Sequence, residues 1–279
     1  MKLLNEAILK ENKVVTFDGK TYPNFGWCVI MGGGSGVGKS TNIEKLLPIN
    51  GKKFDVDEIK TYVHQSSEYD KYSEVLRTKD GKEYDLHDIG APEFSNPKYV
   101  ELLHKVSKPL VKSVRANLYK SLGNAPSDKL PNIIFDITAK NIEDITNITQ
   151  VVKPLGYKVC LVYVIGDIED ALLQNASRNR NVPEDLVVRI HRDVDLQLFD
   201  FYRHPKYFEG VDDVWIISSY RFNFKDKNEH LKYLKAENVF NVTDKEGLIK
   251  IPEMVADQVA DYLRKIEKIY LQAAHRDMW

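Results

Sequence analysis

The sequence predicts an α/β fold, a doubly wound and mainly parallel sheet of five strands flanked by helices. Short apolar runs alternate along the chain with stretches of helical periodicity, which is the element order of a parallel sheet. The runs are continuously apolar, as in strands that are buried on both faces. Hydrophobic residues make up 43% of the 279 residues, enough for a sizeable core.

The strands can be placed in chain order. Asp18-Gly19 separates two β-prone runs and predicts a hairpin. The run 27–31 predicts the first buried strand, followed by a helix from near Lys39 to near Pro48. The run 53–60 is expected to carry a second strand into the start of a helix. Three later apolar runs predict the remaining strands: 131–135, 158–165 and 214–217.

The remaining segments complete a single domain over 1–279. Residues 1–24 form an N-terminal hairpin elaboration. The polar, tyrosine-rich segment 58–97 reads as an insertion that lies over the substrate site as a lid, with a disordered loop as the alternative. Residues 203–279 form a C-terminal extension, in which an apolar stripe from about Pro252 predicts a helix that packs on the core.

Charge and cysteine content exclude several classes of protein. The 40 Lys and Arg nearly balance 41 Asp and Glu, which disfavours a protein that coats duplex nucleic acid but allows a local basic groove. Cys28 and Cys160 lie in apolar runs and indicate buried thiols in a reducing compartment. No apolar run reaches the roughly 18 residues that span a bilayer, and charge interrupts the first residues too early for a secretory signal. We therefore expect a cytoplasmic protein without a membrane partner.

A phosphate-binding loop carries the strongest functional signal. The segment 33–40 matches G-x-x-x-x-G-K-[ST], with a β-run before it and a helix after it. Its glycines allow backbone N–H groups to surround phosphate oxygens, Lys39 can reach the β- and γ-phosphates, and the Ser40 hydroxyl can hold Mg²⁺. We expect ATP, or GTP, to bind these residues: Gly33, Gly34, Ser35, Gly36, Val37, Gly38, Lys39, Ser40 and Thr41.

Acidic side chains follow the next two strands. Asp55 and Asp57 end the second strand, where a carboxylate can take the proton of an attacking hydroxyl. Lys60 follows Asp57 by about one helical turn and can hold an anionic acceptor. A helix N-cap is the alternative for the two acids.

A further acid, Asp136, closes the strand 131–135 and is placed as the acid that binds Mg²⁺ through water. An ordinary cap or turn residue is its alternative. Thr138 and Lys140 follow on the same loop and face the same cleft, where we expect them to contact the acceptor.

Two arginines occupy a corner between helices. Asp167 is expected to cap the helix before them, and Pro183 to begin the helix after them. Arg178 and Arg180 can clamp phosphate oxygens and neutralise charge on the transferred group. A solvated arginine pair is the alternative.

Taken in order, these motifs resemble the zeta-toxin and polynucleotide-kinase branch of the P-loop kinases. The resemblance covers about residues 25–200 and implies a strand order of 2-3-1-4-5. It implies that Asp57 is the base for the acceptor hydroxyl, that Lys60 and Thr138 contact the acceptor, and that Arg178 and Arg180 bind the γ-phosphate. Lys140 stands where zeta toxins carry arginine. An antitoxin-like partner is compatible with the resemblance, although no sequence feature identifies one.

The acceptor of the phosphoryl group stays open at this point. The resemblance implies an ATP-dependent kinase that acts on a sugar nucleotide or another small hydroxyl compound. The alternative is a kinase of a nucleic-acid 5′-hydroxyl or a hydroxylated base in DNA. A basic stripe favours it (Lys105, Lys108, Lys112 and Arg115), whereas the acidic segment 80–93 disfavours it. A binding module that ATP switches, without kinase activity, is the third hypothesis.

Overall fold

The structure is a computed structural model that describes residues 14–39, 50–65, 76–77, 83–84, 97–177, 182–203, 209–219 and 239–241. Several predictions fall outside these residues: those for Ser40, Thr41, Arg178 and Arg180, for most of the segment 58–97, and for the C-terminal helix after Pro252.

The described strands are β1 (Val14–Phe17), β2 (Lys20–Pro23), β3 (Trp27–Gly32), β4 (Lys52–Asp55), β5 (Leu76–Arg77), β6 (Glu83–Tyr84), β7 (Ile133–Asp136), β8 (Lys158–Ile165), β9 (Asp213–Ser218) and β10 (Val239–Asn241). The described helices are α1 (Val56–Gln65), α2 (Pro97–Asn124), α3 (Ile142–Val152), α4 (Ile168–Ala176) and α5 (Glu184–Arg203). In this part of the chain, no helix is both long enough and apolar enough to cross a membrane.

The central sheet has the predicted architecture. Its strands run in the order β10-β9-β8-β3-β7-β4, and the five strands from β9 to β4 are parallel. Numbered among themselves along the chain, these five strands lie in the predicted order 2-3-1-4-5. The short strand β10 pairs antiparallel with β9 at one edge and was not predicted.

The predicted hairpin is present at the start of the described chain. Strands β1 and β2 pair antiparallel through a two-residue turn at Asp18 and Gly19, whose φ angles of 50° and 73° are both positive. Such angles define the turn type that matches the twist of two antiparallel strands. Lys52 ties the turn to the sheet through an ion pair with Asp18 at 2.8 Å.

Side chains are buried on both faces of the sheet. Alternate residues of β3 belong to different clusters, with Cys28 and Ile30 in one and Val29 and Met31 in the other. Helices α2, α3 and α5 contribute residues to the first of these clusters. Both cysteines are buried and free, and burial raises the pKa of the Cys28 thiol. They are therefore core residues, as expected.

Two helices connect β4 to the next strand of the core. Helix α1 begins directly after β4 and includes residues 58–65, which the sequence placed in the insertion. Helix α2 is continuous through Pro109 and packs on α1, where His64 Nδ1 lies 2.6 Å from the Tyr99 hydroxyl. On α2, Leu102, Val106 and Leu118 are buried, whereas Val114 is 37% exposed.

Asn132 joins the hairpin to the sheet. Its side-chain oxygen accepts hydrogen bonds from the backbone N–H groups of Phe25 and Trp27, at 3.0 and 3.1 Å. Its backbone N–H donates to Pro23, and its carbonyl accepts from Lys52. Because Asn132 is 4% exposed, water cannot replace these bonds easily.

We expect Asn132→Ala to lower the free energy of unfolding by about 2 kcal/mol, since it leaves two backbone donors without their acceptor. Asn24→Ala is the matched control, because Asn24 also bonds to the backbone of this region, at Asp128, but in an exposed position. It should cost under about 0.5 kcal/mol. Urea denaturation measures both, and equal losses would contradict the role of Asn132.

Candidate active site

The candidate site lies where three parallel strands end. Met31 of β3 and Asp55 of β4 both pair in register with Asp136 of β7. The chain leaves β3 two residues after Met31 and enters the glycine loop, so this loop begins beside both acids. Ligands of such sheets bind outside the carboxyl ends of the strands, and the predicted site residues of β3, β4 and β7 do meet at one edge.

The glycine loop is shaped by close contacts with two helices. A Cβ atom added at Gly34 would overlap the imidazole of His191 on α5, and one at Gly36 would overlap the carbonyl oxygen of Ala171 on α4. Gly36 also has a φ of 85°, which side chains other than glycine's disfavour. The loop therefore packs closely against α4 and α5, the two helices on either side of the segment that contains Arg178 and Arg180.

Lys39 is the last described residue of the segment that contains the glycine loop. Its Nζ donates hydrogen bonds to the carbonyl oxygens of Gly33 and Gly34, at 2.8 and 3.0 Å. Burial raises the pKa of the Asp136 carboxyl, and the charge of Lys39 acts against that rise. The lysine is therefore bonded to the glycine loop and close enough to the acid of β7 to act on it electrostatically.

Lys53 is a site residue that the sequence did not single out. Its Nζ lies 2.9 Å from Asp55 Oδ2 and 3.8 Å from Asp136 Oδ2, so one cation bridges the two acids. Burial raises the pKa of Asp136, while Lys39 and Lys53 act to lower it. Lys53 and Asp55 are two residues apart in a strand and share a face, a signal that could have revealed the pair.

Asp55 has the capping role that the sequence left as its alternative. Its Oδ1 accepts a hydrogen bond from the backbone N–H of Asp57 at 2.8 Å, which is an N-cap contact at the start of α1. Its other carboxylate oxygen is paired with Lys53. Asp55 therefore fixes the direction in which α1 leaves the sheet, and with it the position of Asp57.

Asp57 is the exposed acid of the site. Its side chain is 51% exposed, and its Oδ1 lies 3.0 Å from Lys60 Nζ, one turn further along α1. Lys60 is only 13% exposed, so the chain around it holds its ammonium group in place. A pocket of about 350 Å³ opens beside the two acids. Its lining residues are Asp55, Asp57, Glu58, Thr61, Tyr62 and Gln65.

The loop after β7 is tied to the glycine loop through its backbone. The carbonyl oxygen of Thr138 accepts a hydrogen bond from Gly33 N at 3.1 Å. Ala139 has a φ of 48°, and its carbonyl accepts a hydrogen bond from the Tyr163 hydroxyl at 3.3 Å. Thr138 and Lys140 therefore flank a buried residue and lie on the same edge as the phosphate loop.

His104 of α2 is a second residue that the sequence did not select. Crowding by the surrounding chain, and after it the charges of Lys60, Lys108 and Lys140, lower the pKa of His104, while Asp57 acts to raise it. Positive side chains from α1, α2 and the β7 loop therefore act, together with Asp57, on one exposed histidine.

The arginine corner is closed by one buried side chain. The Asn175 amide donates to the carbonyl of Val182 at 2.7 Å and accepts from the N–H of Val182 at 3.1 Å. The predicted cap of α4 is confirmed, because Asp167 accepts a hydrogen bond from Glu169 N at 2.8 Å. The ends of the corner are thus fixed, while Arg178 and Arg180 lie outside the described residues.

The donor set fits a magnesium ion that is shared with phosphates. The described residues hold no group of three or more His, Cys, Asp or Glu side chains suited to a metal. Mg²⁺ at phosphate sites takes one or two protein ligands and fills its coordination with phosphate oxygens and water. Asp136, which pairs in register with the strand that leads into the glycine loop, is a carboxylate of the kind that this arrangement requires.

No family model and no curated protein matches the chain, whereas solved structures do. A chain from the PezAT chromosomal toxin-antitoxin system of the human pathogen Streptococcus pneumoniae is 15% identical with a TM-score of 0.44, covering 97% of this chain and 93% of its own. A chain of the AvrRxo1-ORF1:-ORF2 complex with ATP is 18% identical with a TM-score of 0.49, covering 78% of this chain and 61% of its own. Similarity of this degree assigns no role to any residue.

His191 gives a prediction about acid stability. Burial lowers its pKa to about 4 from an ordinary value near 6.5, with Lys39 acting in the same direction. As the pH falls below 6.5, the unfolded chain therefore takes up a proton that the folded protein excludes, and stability is lost. We expect this group to remove about 2 kcal/mol between pH 7 and pH 5.

The variant His191→Gln cannot take up that proton. It should therefore lose about 2 kcal/mol less than the wild type when the pH falls from 7 to 5. Urea denaturation of both proteins at both pH values measures the difference, and the contribution of His104 cancels because both proteins contain it. Equal acid losses in the two proteins would show that His191 is not held neutral.

Proposed function

We propose that the protein is an ATP-dependent kinase that transfers the γ-phosphate to a hydroxyl of a sugar nucleotide or a similar small compound. One observation carries the proposal. The exposed carboxylate of Asp57 lies at the carboxyl ends of the strands, where the phosphate loop begins. Asp55 caps the helix that carries Asp57, and Lys60 pairs with the Asp57 carboxylate. A nucleotide-binding site with a positioned proton acceptor beside it suits phosphoryl transfer to an alcohol.

The nucleotide is proposed to bind along the loop Gly33–Thr41. Backbone N–H groups and the Lys39 ammonium neutralise the β- and γ-phosphates. Ser40 and Asp136 would hold Mg²⁺, which would shield the charge of the phosphate oxygens. ATP is the proposed donor, and GTP carries the same phosphates.

Asp57 is proposed to act as the general base. As the acceptor oxygen forms its bond to the γ-phosphorus, the bond from that phosphorus to the β–γ bridging oxygen breaks and ADP leaves. The proton of the acceptor hydroxyl passes to the Asp57 carboxylate. Lys60 holds the carboxylate, and Arg178 and Arg180 are proposed to neutralise charge on the transferred group.

The charges around Asp57 support an acceptor that carries a negative group. Lys60, Lys108 and Lys140 act together on His104, beside Asp57. Such a cluster attracts phosphate oxygens, as a sugar nucleotide would supply. We propose that Thr138 and Lys140 contact this part of the acceptor. The pocket that contains Asp55 and Asp57 would receive its hydroxyl-bearing part.

A kinase acting on a nucleic-acid terminus, or on a hydroxylated base in DNA, is the second candidate. The exposed Lys108 and Lys112 on α2 favour it, because they extend the positive region away from Asp57 and could follow a phosphate backbone. Lys105 adds less, since it is paired with Glu101 at 2.9 Å. A binding module that ATP switches is the third candidate and requires no phosphoryl transfer.

The compartment of the protein and its partner also belong to the proposed function. One matched structure belongs to a toxin-antitoxin system and another to a complex with ATP. We propose a cytoplasmic protein that an antitoxin-like partner could bind.

The decisive assay uses the whole protein with Mg²⁺ and γ-labelled ATP. It is incubated in turn with sugar nucleotides, nucleosides, oligonucleotides and DNA. Label on a sugar nucleotide supports the proposal, and label on an oligonucleotide or DNA supports the second candidate. Label that appears only as free phosphate in every reaction overturns the kinase assignment.

We expect Asp57→Asn to lower the transfer rate by about 10²- to 10⁴-fold, because the amide cannot take up the hydroxyl proton. Binding of Mg²⁺–ATP should stay within about two-fold of the wild type, since Asp57 is not placed on the nucleotide. Asp185→Asn is the matched control, because it is the same change at an exposed acid in the first turn of α5, outside the pocket that contains Asp57. It should retain most of the activity. An unchanged rate in Asp57→Asn would exclude Asp57 as the base.

Salt dependence separates the two kinase candidates. An acceptor with a single diphosphate should give a shallow slope of log KM against log salt. A strand bound along α2 should give a slope that rises by nearly one for each phosphate contacted. The charge reversal Lys112→Glu, at a lysine that is not among the charges acting on His104, should raise KM for a strand strongly and for a sugar nucleotide much less. A steep slope with a sugar nucleotide as acceptor would contradict this distinction.

A further inference from the structure

A buried histidine, His191, links helix α5 to the phosphate loop. Its side chain is 1% exposed, and its Nε2 lies 2.6 Å from the carbonyl oxygen of Ser35. Since a carbonyl oxygen only accepts hydrogen bonds, Nε2 carries the hydrogen and donates it, and the neutral imidazole is the Nε2–H tautomer. The contact spans 156 residues of sequence and is therefore a tertiary constraint on the loop.

This hydrogen bond lies on the outer side of the loop, away from the proposed position of the phosphates. The described residues contain no cis peptide bond, so the C=O of Ser35 and the N–H of Gly36 point in opposite directions across one rigid plane. Holding the carbonyl outward, against α5, thus turns the N–H of Gly36 toward the inside of the loop. Inward N–H groups are those that hold phosphate oxygens.

Two glycines of the loop fit this account. The motif G-x-x-x-x-G-K-[ST] requires glycine at 33 and 38 and leaves 34 and 36 open. In this chain both open positions are glycine as well, and the structure gives each a reason. The His191 ring occupies the space of a Cβ at Gly34, and the Ala171 carbonyl occupies that space at Gly36. The loop is thus built to let α4 and α5 approach its outer side.

We propose that His191 is a positioning residue for nucleotide binding, which holds the Ser35–Gly36 peptide in the orientation that presents the Gly36 N–H to phosphate. The inference rests on the proposed nucleotide binding and adds a residue that the loop motif does not contain. His191 itself touches neither nucleotide nor acceptor. Its neutral form supplies a donor without placing a second cation beside Lys39.

The test compares two replacements of similar size. His191→Gln places an amide N–H at about the reach of Nε2, whereas His191→Met has the same length without a donor. The dissociation constant of Mg²⁺–ATP is measured at pH 7 by displacement of a fluorescent ATP analogue. We expect the Gln variant to stay within about two-fold of the wild type and the Met variant to bind about ten-fold more weakly.

Tyr157→Phe is the matched structural control. The Tyr157 hydroxyl donates a buried hydrogen bond to the carbonyl of Pro131, also at 2.6 Å. Tyr157 and Pro131 precede β8 and β7 respectively and so lie at the edge of the sheet opposite the phosphate loop. Losing this bond should lower the thermal midpoint while leaving ATP affinity within two-fold of the wild type.

The outcomes are distinguishable. If the wild type binds no Mg²⁺–ATP, the proposed function fails and this inference fails with it. If the wild type binds but His191→Met binds equally well, only the role of His191 is wrong. Equal weakening in the Gln and Met variants also overturns it, because the ring and not the donor would then matter.

A measurement on the wild type covers the case in which His191→Met does not fold. Nitrogen NMR of the histidine side chains distinguishes the two neutral tautomers. The proposal expects His191 as the Nε2–H tautomer at pH 7, with and without Mg²⁺–ATP. The Nδ1–H tautomer would overturn it, since Nε2 could then donate no hydrogen bond to Ser35.

Discussion

The register of β3, β4 and β7 is the constraint on which the rest of the site depends. Asp136 pairs with Met31 on one side and with Asp55 on the other, so the glycine loop and the two acids start at one level of the sheet. A shift of one residue in β7 would turn Asp136 to the opposite face. Such a shift would exchange residues between two packed clusters. The burial of Ile133, Ile134 and Phe135 in these clusters therefore prevents the shift.

Polar groups buried under the site are kept neutral. His191 has a pKa lowered by burial, and Asp195, one turn further along α5, has a pKa raised well above its usual range. Asp195 is 2% exposed, and its Oδ2 makes no hydrogen bond with any residue that the structure describes; a charged carboxylate could not tolerate such a site. These two buried side chains of α5 thus add no charge to the core behind the glycine loop.

The sequence predicted what local patterns encode and missed what distant residues create. The glycine loop, the turn at Asp18 and the cap at Asp167 each depend on a few neighbouring residues, and the strand order followed from a resemblance. His191 carries no local signal, because its partner Ser35 is 156 residues away. His104 was missed for the same reason, since the charges around it come from three separate segments. Lys53 was within reach, because its partner lies on the same strand face.

Helix α1 separates positive from negative side chains at the site, although the charges of the whole chain nearly cancel. Its cap sets Asp57 at the sheet edge, and the residues after it point to two sides. Lys60 lies toward α2 and the cations around His104, whereas Glu58, Thr61 and Tyr62 line the pocket. For the proposed acceptor, the cationic side would neutralise its phosphates and the pocket would take its neutral hydroxyl-bearing part. Asp57 stands at the boundary, so a hydroxyl positioned by both sides would come within reach of the base.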